Sequence, residues 1–173
     1  MDEHYRKTIL IVEDDPDAAE ADRILLEGEG YSTTSAMDAR SAFERVRSDD
    51  PDLILLDVMM PDGTEGFHFV WGLRRDADPR CRAIPIIVLS AIHQTTPLRF
   101  YPDQSDSHYQ PYEYLPVQAF LDKPASSERL LAEIAAALRN ADRPSSATLR
   151  SSEATSLRST RLIGAGAGNG VTD

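Results

Sequence analysis

The stretch Leu53-Ile54-Leu55-Leu56-Asp57-Val58-Met59-Met60-Pro61 decides how this chain is read. Four consecutive aliphatic residues predict a buried strand, and that strand delivers one aspartate to its end. A carboxylate placed there is costly unless it has a partner or a task. Three other segments repeat the arrangement: Ile9-Leu10-Ile11-Val12 before Glu13-Asp14-Asp15, Ile86-Ile87-Val88-Leu89 before Ser90-Ala91, and Phe120-Leu121 before Asp122-Lys123-Pro124. Short apolar runs that end in polar residues suit parallel strands whose carboxyl ends build a site.

Between these runs the pattern turns helical. Pro16, flanked by Asp15 and Asp17, opens a helix that carries Ala18, Ala21 and Leu25 and ends near Gly28 and Gly30. Tyr31–Ala36 reads as the second strand. Asp38 caps a helix through Arg47 that buries Ala39, Ala42, Phe43 and Val46, and Phe67, Val70, Trp71 and Arg74 mark the next one. The last helix follows Ser126, with Leu130, Leu131, Ile134, Ala135 and Leu138 in one stripe. Five strands alternating with helices predict a doubly wound α/β sheet. From residue 141 to 173 the chain is rich in Ser, Ala and Gly and poor in large apolar residues, which predicts a disordered tail.

Composition narrows the function. The 173 residues carry a net charge of −11, with −12 in residues 1–140 and +1 in residues 141–173, which argues against a nucleic-acid partner. No apolar run approaches the roughly 20 residues that span a bilayer, so no membrane role is expected. The single cysteine, Cys81, cannot form an internal disulfide, and a reducing cytoplasm follows. His4, His68, His93 and His108 lack metal-ligand spacing.

Phosphoryl transfer to a carboxylate needs an in-line nucleophile, a divalent ion for the phosphate oxygens and donors for the remaining charge. Asp57 is the candidate nucleophile. Glu13 and Asp14 supply oxygen ligands, and an oxygen-rich set suits Mg2+ better than zinc. Ser90 can bond one phosphoryl oxygen, Lys123 can bring a positive charge to another, and Ala91 leaves space for the group. Taken singly each element is ordinary: acids cap helices, a strand-end Asp marks turns, and Lys-Pro is a common loop dipeptide.

In this order, acid pair, lone Asp, hydroxyl and Lys-Pro, the chain resembles a response-regulator receiver domain of two-component signalling over about residues 7–140. The resemblance implies a flavodoxin-like five-stranded parallel sheet of order 2-1-3-4-5, with the first and third strands adjacent. It implies Asp57 as phospho-acceptor, with Glu13, Asp14, Asp57 and the backbone carbonyl of Met59 around Mg2+. Ser90 matches the switch hydroxyl, Phe120 the aromatic that rotates with it, and Lys123-Pro124 the Lys-Pro signature. The implied function is a single-domain response regulator that takes its phosphoryl group from a sensor histidine kinase or histidine phosphotransfer protein and signals by protein contact. It is a switch rather than an enzyme, limited to Mg-dependent self-phosphorylation from a donor and slow self-dephosphorylation.

Two departures from the family stand out. The loop Pro61-Asp62-Gly63-Thr64-Glu65-Gly66 is one residue longer than usual, and Ser90 to Lys123 spans 33 residues, about ten more than usual. The insertion, about residues 93–118, is Tyr- and Pro-rich and has no amphipathic period, so an irregular segment replaces or remodels the fourth helix and offers a surface to a downstream protein target. Residues 1–6 are a short extension. A dehalogenase-like phosphatase would need an Asp where Met59 stands, and an FMN binder would not place Glu13-Asp14-Asp15 against a phosphate. A receiver-like interaction module without phosphorylation is the nearest alternative.

Overall fold

The computed structural model describes residues 6–60, 65–91 and 115–142. Residues 1–5 of the extension, Pro61–Thr64 of the long loop, Ile92 and the insertion up to residue 114, and the tail from residue 143 lie outside the described residues.

Strands β1 (Thr8–Val12), β2 (Ser32–Ala36), β3 (Leu53–Leu56), β4 (Ile86–Ser90) and β5 (Ala119–Asp122) form one parallel sheet of order β2-β1-β3-β4-β5, as the resemblance implied. Helices α1 (Pro16–Gly28), α2 (Ala39–Asp49), α3 (Glu65–Arg74), α4 (Pro79–Ala83) and α5 (Ser127–Ala141) cover it. The three central strands are aliphatic apart from Thr8 at the start of β1 and Ser90 at the end of β4, because both of their faces are buried. Alternate residues feed two cores. Leu10, Val12, Ile54, Leu56, Ile86 and Val88 pack with Ala42, Val46, Phe69 and Leu73 on one face. Ile9, Ile11, Leu53, Leu55, Ile87 and Leu89 pack with Leu26, Leu130 and Ile134 on the other. Each fully buried Leu or Ile contributes about 2 kcal/mol from apolar burial, which is why this short run forms so firm a strand. The edge strand β2 can be Ser- and Thr-rich because it is only partly covered.

Local signals set the helix starts. Asp15 caps α1 by accepting the Asp17 N–H at 2.9 Å, with Pro16 at the first position. Gly30, at φ 90°, supplies the left-handed residue that lets the chain turn back into β2. Asp38 and Ser41 form a reciprocal capping box on α2. Helix α4 was not among the expected elements; its signal is Asp78-Pro79, with the Asp78 carboxylate accepting the Arg80 N–H at 2.8 Å.

Residues 115–118, the described end of the expected insertion, are firmly tied down. Leu115 is buried in the first core, and Gln118 pairs with Ile86 through its backbone N–H (2.8 Å) and its side-chain carbonyl (2.6 Å). Arg74 donates to the carbonyls of Pro116 (3.0 Å), Arg82 (2.9 Å) and Ile84 (2.8 Å), joining three segments at the amino end of the sheet.

Candidate functional site

The carboxyl ends of β1, β3, β4 and β5 meet where the strand order reverses, the place an open α/β sheet offers to a ligand. Each site residue is set by a backbone bond to a neighbouring strand. The Glu13 N–H donates to Ala36 O (3.1 Å), the Asp57 N–H to Val12 O (2.9 Å) and the Lys123 N–H to Ser90 O (2.9 Å). The ladder thereby carries Glu13, Asp57, Ser90 and Lys123 to one spot.

Asp57, Glu13 and Ser90 are buried. One Asp57 oxygen, Oδ1, accepts the Ser90 hydroxyl at 2.6 Å and the Met59 N–H at 2.7 Å. The other, Oδ2, accepts from Lys123 Nζ at 2.8 Å. Lys123 also donates to Glu13 Oε2 at 2.5 Å, and Glu13 Oε1 accepts the Asp15 N–H at 3.3 Å. One ammonium therefore serves two buried carboxylates. Burial pushes the Glu13 carboxyl above its usual range, although its bond to Lys123 pulls the other way. Burial also works against the Lys123 charge, but the bonds to Asp57 and Glu13 outweigh it and raise the ammonium pKa. The two directions describe one shared interaction, and the physical reading is a charged Lys123 shared by the Glu13 and Asp57 carboxylates.

The remaining sequence-selected residues fall around this centre. Asp14 is half-buried beside Glu13 and makes no hydrogen bond or ion pair among the described residues. Ala91 and Pro124 line a groove next to Lys123, and the Lys123–Pro124 bond is cis. Phe120 is partly buried against the first core. Asp15 caps α1. Cys81, Phe67 and Trp71 are packing residues of the first core. Asp22 was missed: it lines the Lys123 groove, and its signal was an acid on the α1 stripe of Ala18, Ala21 and Leu25.

Oxygen donors from Glu13, Asp14, Asp57 and the Met59 carbonyl suit a hard divalent cation. Among the described residues no three metal-binding groups are already drawn together; Lys123 holds Glu13 and Asp57 instead. The surplus of carboxylate over ammonium is what a cation such as Mg2+ would relieve, so the donor set fits it.

Residues 9–101 match the response regulator receiver domain family, and the chain belongs to it. It is 34% identical over 140 residues to the DNA-binding response regulator MtrA of Mycolicibacterium smegmatis, covering 80% of this chain and 54% of that protein. Identity to the DNA-binding dual master transcriptional regulator RpaA of Synechocystis sp. is 33% over 136 residues, covering 78% and 50%. The chain thus spans about half the length of these curated relatives. Among solved structures, a sensor protein from Polaromonas sp. JS666 aligns at TM-score 0.63 and 29% identity, covering 79% of this chain and 98% of that one. The signal receiver domain of a signal transduction histidine kinase from Syntrophus aciditrophicus aligns at 0.61 and 28%, covering 81% and 96%. Receiver domains of this family are signalling switches that are phosphorylated by histidine kinases and bind Mg2+ at the phosphorylation site. Among the described residues no helix is long and apolar enough to cross a membrane.

Proposed function

We propose that Asp57 takes a phosphoryl group from a sensor histidine kinase or a histidine phosphotransfer protein, and that this chain signals by protein contact. The observation that carries this reading is the Asp57 carboxylate, buried and bonded at once to the Ser90 hydroxyl, the Met59 N–H and the Lys123 ammonium. An Asp57 oxygen attacks phosphorus as the bond to the donor nitrogen breaks. Ser90 then donates to one phosphoryl oxygen and Lys123 to another, so both groups exchange a carboxylate partner for a more highly charged one. Mg2+, when bound, neutralises phosphoryl charge, and Glu13, Asp14, Asp57 and the Met59 carbonyl would hold it. Ala91 leaves room for the group, and Pro124 follows the lysine into the β5–α5 turn.

Added charge at Asp57 shifts the population between inactive and active conformations, through Ser90 and Phe120. Output through the 93–118 segment agrees with the anchoring of its end at Leu115, Pro116 and Gln118, and deleting residues 97–114 should preserve phosphorylation while abolishing partner binding. Self-dephosphorylation is slow on this reading, because Met59 and Ile92, two residues beyond the acceptor and the switch hydroxyl in sequence, are apolar and cannot position a hydrolytic water; Met59→Asn or Ile92→Glu should shorten the phosphoryl lifetime, Ile92 lying outside the described residues. The names of the relatives give no support to excluding nucleic acid from the function of the protein as a whole. Only the acidic receiver portion argues against direct DNA contact, by its own charge. A cytoplasmic location accompanies this reading.

The test is incubation with Mg2+ and acetyl phosphate, followed by intact mass. Wild type should gain one phosphoryl group and Asp57→Asn none. A wild type that stays unmodified would favour the non-phosphorylated interaction module and defeat the proposal.

A further inference from the structure

A fourth carboxylate lies near the acceptor. Asp22 sits on α1 four residues after Ala18 and three before Leu25, on the stripe through which α1 meets the second core. An apolar side chain would suit that position better. Asp22 is half-buried, and its side chain makes no hydrogen bond or ion pair among the described residues. Burial raises its carboxyl pKa, with the Lys123 charge pulling it down and the Asp57 charge pushing it up, so it shares a field with the acceptor site. Asp22 and Lys123 line the same groove of about 410 Å3, which is otherwise walled by Ala18, Ala21, Leu89, Ala91, Pro124 and Ala125. Lys123 therefore faces three anions: Glu13 and Asp57 by hydrogen bond, and Asp22 across the groove.

We propose that Asp22 is a positioning residue that restrains phosphoryl acceptance, its charge competing for the Lys123 ammonium and opposing an incoming phosphoryl dianion at Asp57. The inference rests on Asp57 being the acceptor. With acetyl phosphate as donor, the bond between phosphorus and the acetyl oxygen breaks as an Asp57 oxygen bonds to phosphorus. Acetate leaves with the electron pair, and no proton is transferred. The negative charge on the donor persists throughout the approach, so a nearby fixed anion raises the energy of that approach and of the transfer itself. Neutralising Asp22 frees Lys123 to serve the arriving oxygens.

The experiment compares wild type, Asp22→Asn and Asp22→Glu with Mg2+ and acetyl phosphate, following phosphoprotein by intact mass at low and high salt. Asp22→Asn should be labelled about three- to tenfold faster at low salt, the scale of one charge acting over several ångströms of partly screened space. Asp22→Glu should restore the wild-type rate, and added salt should narrow the gap. An Asn variant no faster than wild type overturns the inference while leaving Asp57 as acceptor. An acceleration that Glu shares, or that salt leaves untouched, reports altered packing and overturns it equally. If wild type takes up no phosphoryl group, the acceptor assignment fails and the inference falls with it.

Discussion

The Ser90 hydroxyl lies 2.6 Å from Oδ1 of Asp57, and both residues are buried although they stand 33 positions apart. The same oxygen also accepts the Met59 N–H, so neutral donors hold one side of the carboxylate and Lys123 holds the other. Ser90→Ala should cost about 1.5 to 3 kcal/mol of stability, the value of a hydrogen bond to a charged acceptor. Ser90→Thr, which keeps the hydroxyl, should recover most of it. Urea denaturation of the three proteins checks this; an Ala variant as stable as wild type would show that the bond contributes nothing net.

Lys123 is the only hydrogen-bonded cation that Glu13 and Asp57 have among the described residues. Lys123→Met leaves two buried carboxylates facing each other. The loss should be about 2 to 3 kcal/mol, the lower end of what breaking a buried pair costs because the lysine is 26% exposed. Mg2+ should recover part of this in the variant, since a cation that binds the folded acid pair stabilises it by mass action. Thermal melts with and without Mg2+ give the comparison.

Gly66, near the start of α3, has no space for a side chain, because a Cβ built there runs into the backbone of Val58. Val58 follows Asp57, so the close approach of α3 bears on the acceptor loop. Gly66→Ala should destabilise by about 1 to 3 kcal/mol, as overpacking against backbone does. Gly28→Ala, whose Cβ meets nothing within 4 Å, is the control. It should fall within about 0.5 kcal/mol of wild type.

Asp38 caps α2, and the Ser41 backbone N–H, with the Ser41 hydroxyl second, holds its carboxyl below the usual aspartate range. A depressed carboxyl pKa contributes stability that is present above the unfolded value of 3.8 and lost as the pH falls through the lower folded value. Asp38→Ala should therefore be about 1 kcal/mol less stable than wild type at neutral pH. The gap should close below pH 3.8. A gap that does not depend on pH would show that the cap acts through something other than its charge.

Much of this protein was legible in order along the chain. Aliphatic runs at Leu10, Leu55 and Val88 predicted three core strands because a strand buried on both faces admits only such residues. Asp57, Ser90 and Lys123 were legible because each ends one of the runs. The α1 and α2 starts were legible as well, since Asp15 and Asp38 bond their own helices within three residues. Helix α4 was overlooked: it has one turn and no periodicity, and only Asp78-Pro79 marks it.

Pairing decided the rest. That Lys123 bridges Glu13 and Asp57, that Arg74 clamps carbonyls at Arg82, Ile84 and Pro116, and that Asp22 shares a groove with Lys123 are relationships between residues on different elements. Hydrophobic pattern and capping act over a few residues and are written locally in the amino-acid order. The balance of charge at a site depends on distances between segments tens of residues apart, and only the packed sheet with its helices sets those distances.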